Sequence, residues 1–162
     1  MGIQLTEPRT RPDGLDHLGA LWMELHAHHR DVASYPDLVD DLHASWQRRR
    51  EFYRRLLDEG GAYIIALDDD RPVGYAMVAL GAGPDDTFSS RGGIAEVLTL
   101  VVTAGHRGTG VGTELLHAAE AFAAAHGIDL VRIAVMAGNA RAEEFYESHG
   151  YAVAEHLLYR RI

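Results

Sequence analysis

The chain has 162 residues, a 47% hydrophobic share, no cysteine and a formal net charge of −9. The length suits one domain over 1–162, since single domains commonly hold ~100–200 residues, and the hydrophobic share is enough for a core. The missing thiol excludes disulfides, Cys-ligated zinc and a cysteine nucleophile; the acidity argues against nucleic acid, whose phosphates need clustered Lys and Arg.

In chain order, Ile3–Glu7 reads as a short strand. Leu15–Arg30 carries Leu15, Leu18, Trp22 and Leu25 at the 3–4 spacing of an amphipathic helix. Pro36–Glu59 continues in that style with Leu38, Leu42, Trp46, Tyr53 and Leu56, and Gly60-Gly61 stops it. Tyr63–Leu67 and Pro72–Leu80 read as a hairpin across the turn Asp68–Arg71. A polar, Gly-rich loop, Gly81–Gly93, leads into Ile94–Val102. That strand is apolar at nearly every position, which implies burial on both faces. Val111, Leu115, Ala118, Phe122 and Ala125 mark the next helix, closed by His126-Gly127. Leu130–Met136 is a strand, Ala140–His149 a helix capped by Asn139, and Tyr151–Arg161 a final strand. This order predicts a mixed, three-layer α/β fold with helices flanking a central sheet.

The segment Met1–Gly14 has no apolar stretch of a secretory signal, and no run approaches the ~20 apolar residues that span a bilayer. The sequence therefore reads as a soluble, cytoplasmic protein with no membrane contact.

Gly105–Gly112 joins a buried strand to a helix. The first amides of a helix lack internal partners, and the helix dipole makes that end positive. Glycines let those amides approach an anion closely, which makes a phosphate site; Arg107 beside it offers charge. A plain strand-to-helix turn is the structural alternative. No Lys follows the glycines as a P-loop requires. A dinucleotide fingerprint fails too: Gly108, Gly110 and Gly112 lack its spacing, and Asp129 precedes the next strand instead of following it. What does fit is [QR]xxGx[GA], through Arg107, Gly110 and Gly112. A second motif follows: Asn139, Ala142, Phe145, Tyr146, Glu147, Gly150 and Tyr151 in fixed spacing.

Together these two motifs resemble the GNAT family of N-acetyltransferases over Ile94–Tyr151; the N-terminal third matches in element order only. The resemblance implies the acyl-CoA N-acyltransferase fold, with a mostly antiparallel sheet, and acetyl-CoA as the acyl donor with no metal. Its pyrophosphate would lie on Arg107, Gly108, Gly110, Val111 and Gly112, its pantetheine arm on the backbone of Leu100 and Val102, with Asn139 bonding the cofactor or a water. The reaction implied is acetyl transfer to a primary amine, of a small molecule or a protein, through a tetrahedral intermediate. A non-catalytic acyl-CoA sensor is the alternative. Homodimers occur in the family, so a dimer is one assembly to expect.

Glu96 is the lone charge of its strand. Burial would suit it to act as a base, on a strand face shared with Leu98, Leu100 and Val102; a structural ion pair at the strand end is the competing reading. Tyr146 would return a proton to the CoA sulfur. The acceptor site would form from His26–Tyr35 and Gly81–Gly93, with His29, Tyr35, Asp85 and Asp86 as contacts. His29 lies in phase with Leu18, Trp22 and Leu25, and the His26–His29 cluster lacks the spacing of a metal site. Arg48–Arg50 with Arg54 and Arg55 reads as a solvated helix face.

Overall fold

The computed structural model describes residues 2–83 and 86–162. Its elements are β1 (Gln4–Leu5), a 3-10 turn at Pro12–Leu18, α1 (Gly19–Val32), α2 (Leu42–Asp58), β2 (Ala62–Asp68), β3 (Arg71–Ala79), β4 (Ile94–Val102), α3 (Val111–Ala125), β5 (Leu130–Arg132) and α4 (Ala140–Ser148). The strands form one sheet in the order β1-β2-β3-β4-β5. All pairs are antiparallel except β4–β5, which is parallel. The expected mixed, mostly antiparallel sheet is therefore present.

Its two faces bury different partners. On one, Ile64, Ala76, Val78 and Val97 pack against Leu115, Leu116, Ala119 and Phe122 of α3. On the other, Tyr63, Ile65, Tyr75 and Met77 meet Leu18 and Leu21 beside Tyr53, Leu56 and Leu57 of α2. Three layers result, because each helix has one apolar stripe to bury.

Helix α2 starts at Leu42, six residues later than its sequence start at Pro36. The Asp41 carboxylate caps it, accepting from the Ala44 amide at 3.0 Å. That same bond holds the Asp41 carboxyl below the usual range. The segment before it is tied to α1 instead: the His26 ring bonds the Val39 carbonyl at 2.8 Å, and Arg30 pairs with Asp40 at 2.9 Å.

The β3–β4 ladder contains a bulge. Met77 pairs with Thr99 and Val78 with Val97, so Leu98 has no partner across the ladder. A bulge bends its strand and strengthens the local twist. It also breaks the face alternation expected from Glu96 to Val102. Glu96 pairs with Ala79, and Ala79, Leu98 and Val101 belong to the α1/α2 face; Leu100 and Val102 pack on the α3 face. Glu96 thus does not share a face with Leu100 and Val102.

Pairing of β4 with β5 covers only Ile94–Glu96 against Leu130–Arg132. Strand β5 accordingly stops at Arg132 instead of running to Met136, since β4 has turned away and 133–136 find no ladder partner. The expected final strand is also absent. Tyr151–Ile162 forms no ladder and is exposed beyond Tyr151; it runs instead to the α1–α2 connection, where Tyr159 meets the Tyr35 ring at 5.9 Å and Arg161 pairs with Asp37 at 3.2 Å. Among the described residues no helix is long and apolar enough to cross a membrane.

Beneath the bulge, the buried Tyr53 hydroxyl bonds Thr99 Oγ1 at 2.5 Å and the Tyr75 hydroxyl at 3.0 Å. This network joins α2, β3 and β4. Tyr53→Phe leaves two buried hydroxyls short of a partner, so we expect a loss of about 1–3 kcal/mol, read as a lower midpoint in urea unfolding. An unchanged midpoint would mean that the network does not hold β4 in place.

Candidate active site

Arg107 to Gly112 forms an open turn at the start of α3. Gly108 (φ 76°) and Gly110 (φ 94°) both take the left-handed conformation that other residues avoid. A Cβ at either would meet nothing within 4 Å, so the turn faces outward free of cover. The first bond of α3 runs from the Glu114 amide to the Gly110 carbonyl at 3.0 Å. The amides of Val111, Gly112 and Thr113 precede it and have no partner inside the helix. Thr109 Oγ1 donates to the His106 carbonyl at 2.6 Å and fixes the turn. The His106 ring in turn sits between Thr103 Oγ1 (3.1 Å) and the Asp68 carboxylate (3.0 Å).

Arg107 does not aim its guanidinium at the open turn, as the sequence suggested. Its Nε donates to the Val102 carbonyl at 3.0 Å, and its Nη2 lies 3.4 Å from Glu24 of α1. The physical reason is the end of β4: Val102 O points away from β3 and needs a donor. The side chain therefore braces the turn.

Between β4 and the stretch after β5 lies a gap of about 70 Å³, lined by Val97–Leu100, Ala134–Met136, Leu25 and His29 of α1, and Asn139, Ala142 and Tyr146. Leu25 and His29 of α1 line one side of it, and Ala142 and Tyr146 of α4 another. Thr103 N bonds Val73 O at 2.8 Å, continuing the Gly74–Val102 register. Ladder bonds alternate along a strand, so Leu100 and Val102 direct their N–H and C=O away from β3, and Leu100 lines the gap. A larger hollow of about 340 Å³ lies at the α1–α2 connection, against Arg30, Asp31, Tyr35 and Asp40. The smaller gap is the better site for chemistry, because bare strand backbone and titratable side chains converge there.

Burial pushes the Tyr146 hydroxyl up to about 12, so it stays protonated at neutral pH. Asn139 caps α4, accepting from the Ala142 amide at 3.3 Å, and lines the gap as well. Burial, then the neighbouring His28, His26 and Arg49, lower His29 to about 4, so its imidazole is neutral there. His26 does not join it, being buried against Trp22.

Glu96 does not line the gap. Its Oε2 accepts from Arg132 Nε at 3.0 Å and Nη2 at 2.8 Å, an ion pair that bridges β4 and β5. Both bonds fall on one oxygen, leaving Oε1 outside the pair. Tyr35 lies at the larger hollow against Tyr159, apart from His29's gap. Asp86 bonds its neighbour Thr87 in an exposed loop, and Asp85 lies outside the described residues. Of the Arg cluster, Arg49 stacks on Trp22 at 4.0 Å and Arg50 pairs with Asp16, so part of it is structural. Sequence reading missed Leu98 and Arg132. Nothing local marks the bulge, but Arg132 was visible as the lone charge in Leu130–Met136, opposite the lone charge Glu96.

The pattern of the Acetyltransferase (GNAT) family matches residues 22–151. The chain belongs to the GNAT family. It is 33% identical over 102 residues to uncharacterized N-acetyltransferases of Mycobacterium bovis and Mycobacterium tuberculosis, a match covering 63% of this chain and 60% of theirs. The match thus spans less than two thirds of those curated relatives. In three dimensions the chain resembles AAC(6')-Iy bound to the bisubstrate analogue CoA-S-monomethyl-acetylneamine, with a TM-score of 0.71, 15% identity and coverage of 100% and 99%. It also resembles the PaiA N-acetyltransferase of Thermoplasma acidophilum in complex with coenzyme A, with a TM-score of 0.71, 18% identity and coverage of 95% and 92%. At those identities the likeness establishes the GNAT fold.

His29 generates a test of the gap's dryness. Its folded value of about 4 lies below the ordinary 6.5. From pH 7 to 5 the unfolded chain binds a proton at this position and the native chain does not, so stability falls on acidification. Above pH 7 the contribution vanishes. We expect the drop in unfolding midpoint between pH 7 and pH 5 to be smaller in His29→Gln; an equal drop would show that water reaches the ring freely.

Proposed function

We propose that this GNAT protein transfers an acetyl group from acetyl-CoA to a primary amine. The observation that carries the reading is the pairing of the open amide turn at Gly108–Thr113 with the gap beside β4. One supplies donors for a diphosphate, the other an extended edge for the pantetheine arm. The amides of Val111 and Gly112 would take the pyrophosphate at the positive end of α3. Leu100 and Val102 would bond the arm, Val102 mainly through its N–H, because Arg107 already holds its carbonyl. No metal enters the scheme.

The two mouths then receive different substrates. The donor would lie on the α3/α4 side, by Tyr146 and Asn139; the amine would enter from the α1/α2 side, by His29. The neutral His29 ring would accept a hydrogen bond from the amine. Glu96 faces that same side, and its unpaired Oε1 is our proposed base, reaching the incoming ammonium through water. The amine nitrogen attacks the thioester carbon, and the C–S bond breaks as the tetrahedral intermediate collapses. Tyr146 passes its proton to the departing sulfur while regaining one from the nitrogen, so the phenol ends neutral. A phenol held near 12 makes a poor donor for full transfer to a thiolate, and this relay removes the difficulty. The 340 Å³ hollow by Asp31 and Tyr35 offers carboxylate for the rest of a cationic acceptor, small molecule or protein side chain. We propose a cytoplasmic reaction away from nucleic acid, in keeping with the formal net charge of −9.

A panel of amines with acetyl-CoA, followed by release of free thiol, tests the reading. Tyr146→Phe is expected to lower kcat about 100-fold, the scale of general acid catalysis, with little change in coenzyme A affinity. Wild-type levels of turnover in that variant would remove Tyr146 from the proton path. No thiol release with any amine, despite tight coenzyme A binding, would leave an acyl-CoA sensor. For the turn, Gly110→Asp should abolish coenzyme A binding in calorimetry. Gly110→Asn, which tolerates the same backbone without the charge, should retain part of it; equal binding by both would move the phosphates elsewhere.

A further inference from the structure

The arginine run on α2 has no part in the chemistry described so far, and one member of it stands apart. Five arginines, Arg48, Arg49, Arg50, Arg54 and Arg55, lie on this one helix of a chain whose net charge is −9. Arg48, Arg54 and Arg55 are exposed. Among the described residues three arginines are half-buried: Arg49, Arg50 and Arg107. Arg50 pairs with Asp16, and Arg107 holds the Val102 carbonyl and faces Glu24. Arg49 has no such partner among the described residues. Its neighbours are aromatic: the guanidinium carbon lies 4.0 Å from the Trp22 ring centre, 5.7 Å from Phe52 and 5.8 Å from Tyr53.

A cation drawn partly out of water ordinarily finds an anion, because a lone charge there costs free energy. Stacking on an aromatic ring offsets part of that cost, and it uses only the flat face of the guanidinium. The N–H edge stays free, and its fork matches a carboxylate with two parallel bonds. Trp22 is itself fixed, its indole N–H donating to Ser45 at 3.0 Å, so the plane of the guanidinium is set in advance. The acids at hand are already engaged: Asp16 by Arg50, Glu24 by Arg107, Asp40 by Arg30 and Glu96 by Arg132.

Position gives this free edge its use. Trp22, Leu25 and His29 form one stripe of α1, and Leu25 and His29 line the gap beside β4. Arg49 meets that stripe from α2, close enough that its charge helps to lower His29. Tyr53, the ring below it, hydrogen-bonds Thr99 of the gap wall. We propose that Arg49 binds a carboxylate on the acceptor itself, so that the amine acetylated belongs to a free amino acid. This rests on the acetyl-transfer reading with the amine at His29, and adds the group that orients it. An amino acid carries both within one small molecule, its carboxylate on the guanidinium edge and its amine toward the imidazole. The exposed Arg48, Arg54 and Arg55 draw such an anion toward α2. The hollow by Asp31 and Tyr35 serves a second cationic group where the acceptor has one.

Thiol release from acetyl-CoA tests this with a panel of free amino acids, their primary amides and simple diamines. The amide keeps amine and side chain and lacks only the negative charge. For the preferred side chain the acid should exceed its amide by about tenfold or more in kcat/KM, the scale of a hydrogen bond to a charged group. Arg49→Met keeps a stem against Trp22 without the fork and should lose that preference. Arg49→Lys keeps the charge without the fork and should give an intermediate ratio, which carries the test if the methionine variant does not fold. A residue that only braces α1 against α2 would slow acid and amide alike; a wild-type ratio in both variants therefore overturns the proposal. So does a wild-type enzyme that uses amides or diamines as well as acids, a result that leaves acetyl transfer standing. No thiol release with any amine, despite bound coenzyme A, overturns both.

Discussion

The parting of β4 from β5 is the constraint on which the rest depends. Two strands that pair over three residues and then separate leave main-chain donors and acceptors unsatisfied along the longer one. In a closed sheet such groups would be a defect. Here they border a gap lined by α1, α4 and the stretch after β5, with Tyr146 and His29 on it. The bulge at Leu98 bends β4 away, and the Tyr53–Thr99–Tyr75 hydroxyls hold the bent strand against α2. At the near end Glu96 and Arg132 clamp the strands just before they diverge. Separation is thus built in between two fixed points.

The electrostatics of the gap follow from burial. The same desolvation acts on two titratable groups with opposite sense: it raises the Tyr146 phenol and lowers the His29 imidazole. Both changes favour the neutral form. A neutral lining suits a reaction whose partners, a thioester and an amine stripped of its proton, are themselves uncharged at the moment of attack. The charged groups sit outside it, Glu96 in its pair with Arg132 and Glu24 beside Arg107.

Much of this was legible in the sequence, for identifiable reasons. Strand β4 was placed to the residue because a run apolar at nearly every position has few other homes. The turn at Gly108 and Gly110 was legible because glycine there answers a backbone demand. His29 was found through its phase with Leu18, Trp22 and Leu25. Side-chain destinations were less accessible. Arg107 satisfied a spacing rule, but its guanidinium went to the bare carbonyl of Val102, a requirement that appears only once β4 has an end. The alternation placing Glu96 with Leu100 failed because a bulge inserts a residue without any local signal. The final strand failed differently: its apolar pattern declares readiness to pair and says nothing of where the partner lies. Pro36 misplaced the start of α2 because Asp41 offers a side-chain cap and proline offers none.

The bracing around Glu24 has a mechanical consequence. One carboxylate oxygen receives the Ala104 amide and faces Arg107, whose Nε holds the tip of β4. Helix α1, the strand tip and the glycine turn are thereby riveted into one rigid block. Neither wall of the cleft is free to breathe against the other at that corner. Guests of differing bulk therefore meet a stationary anvil at that corner.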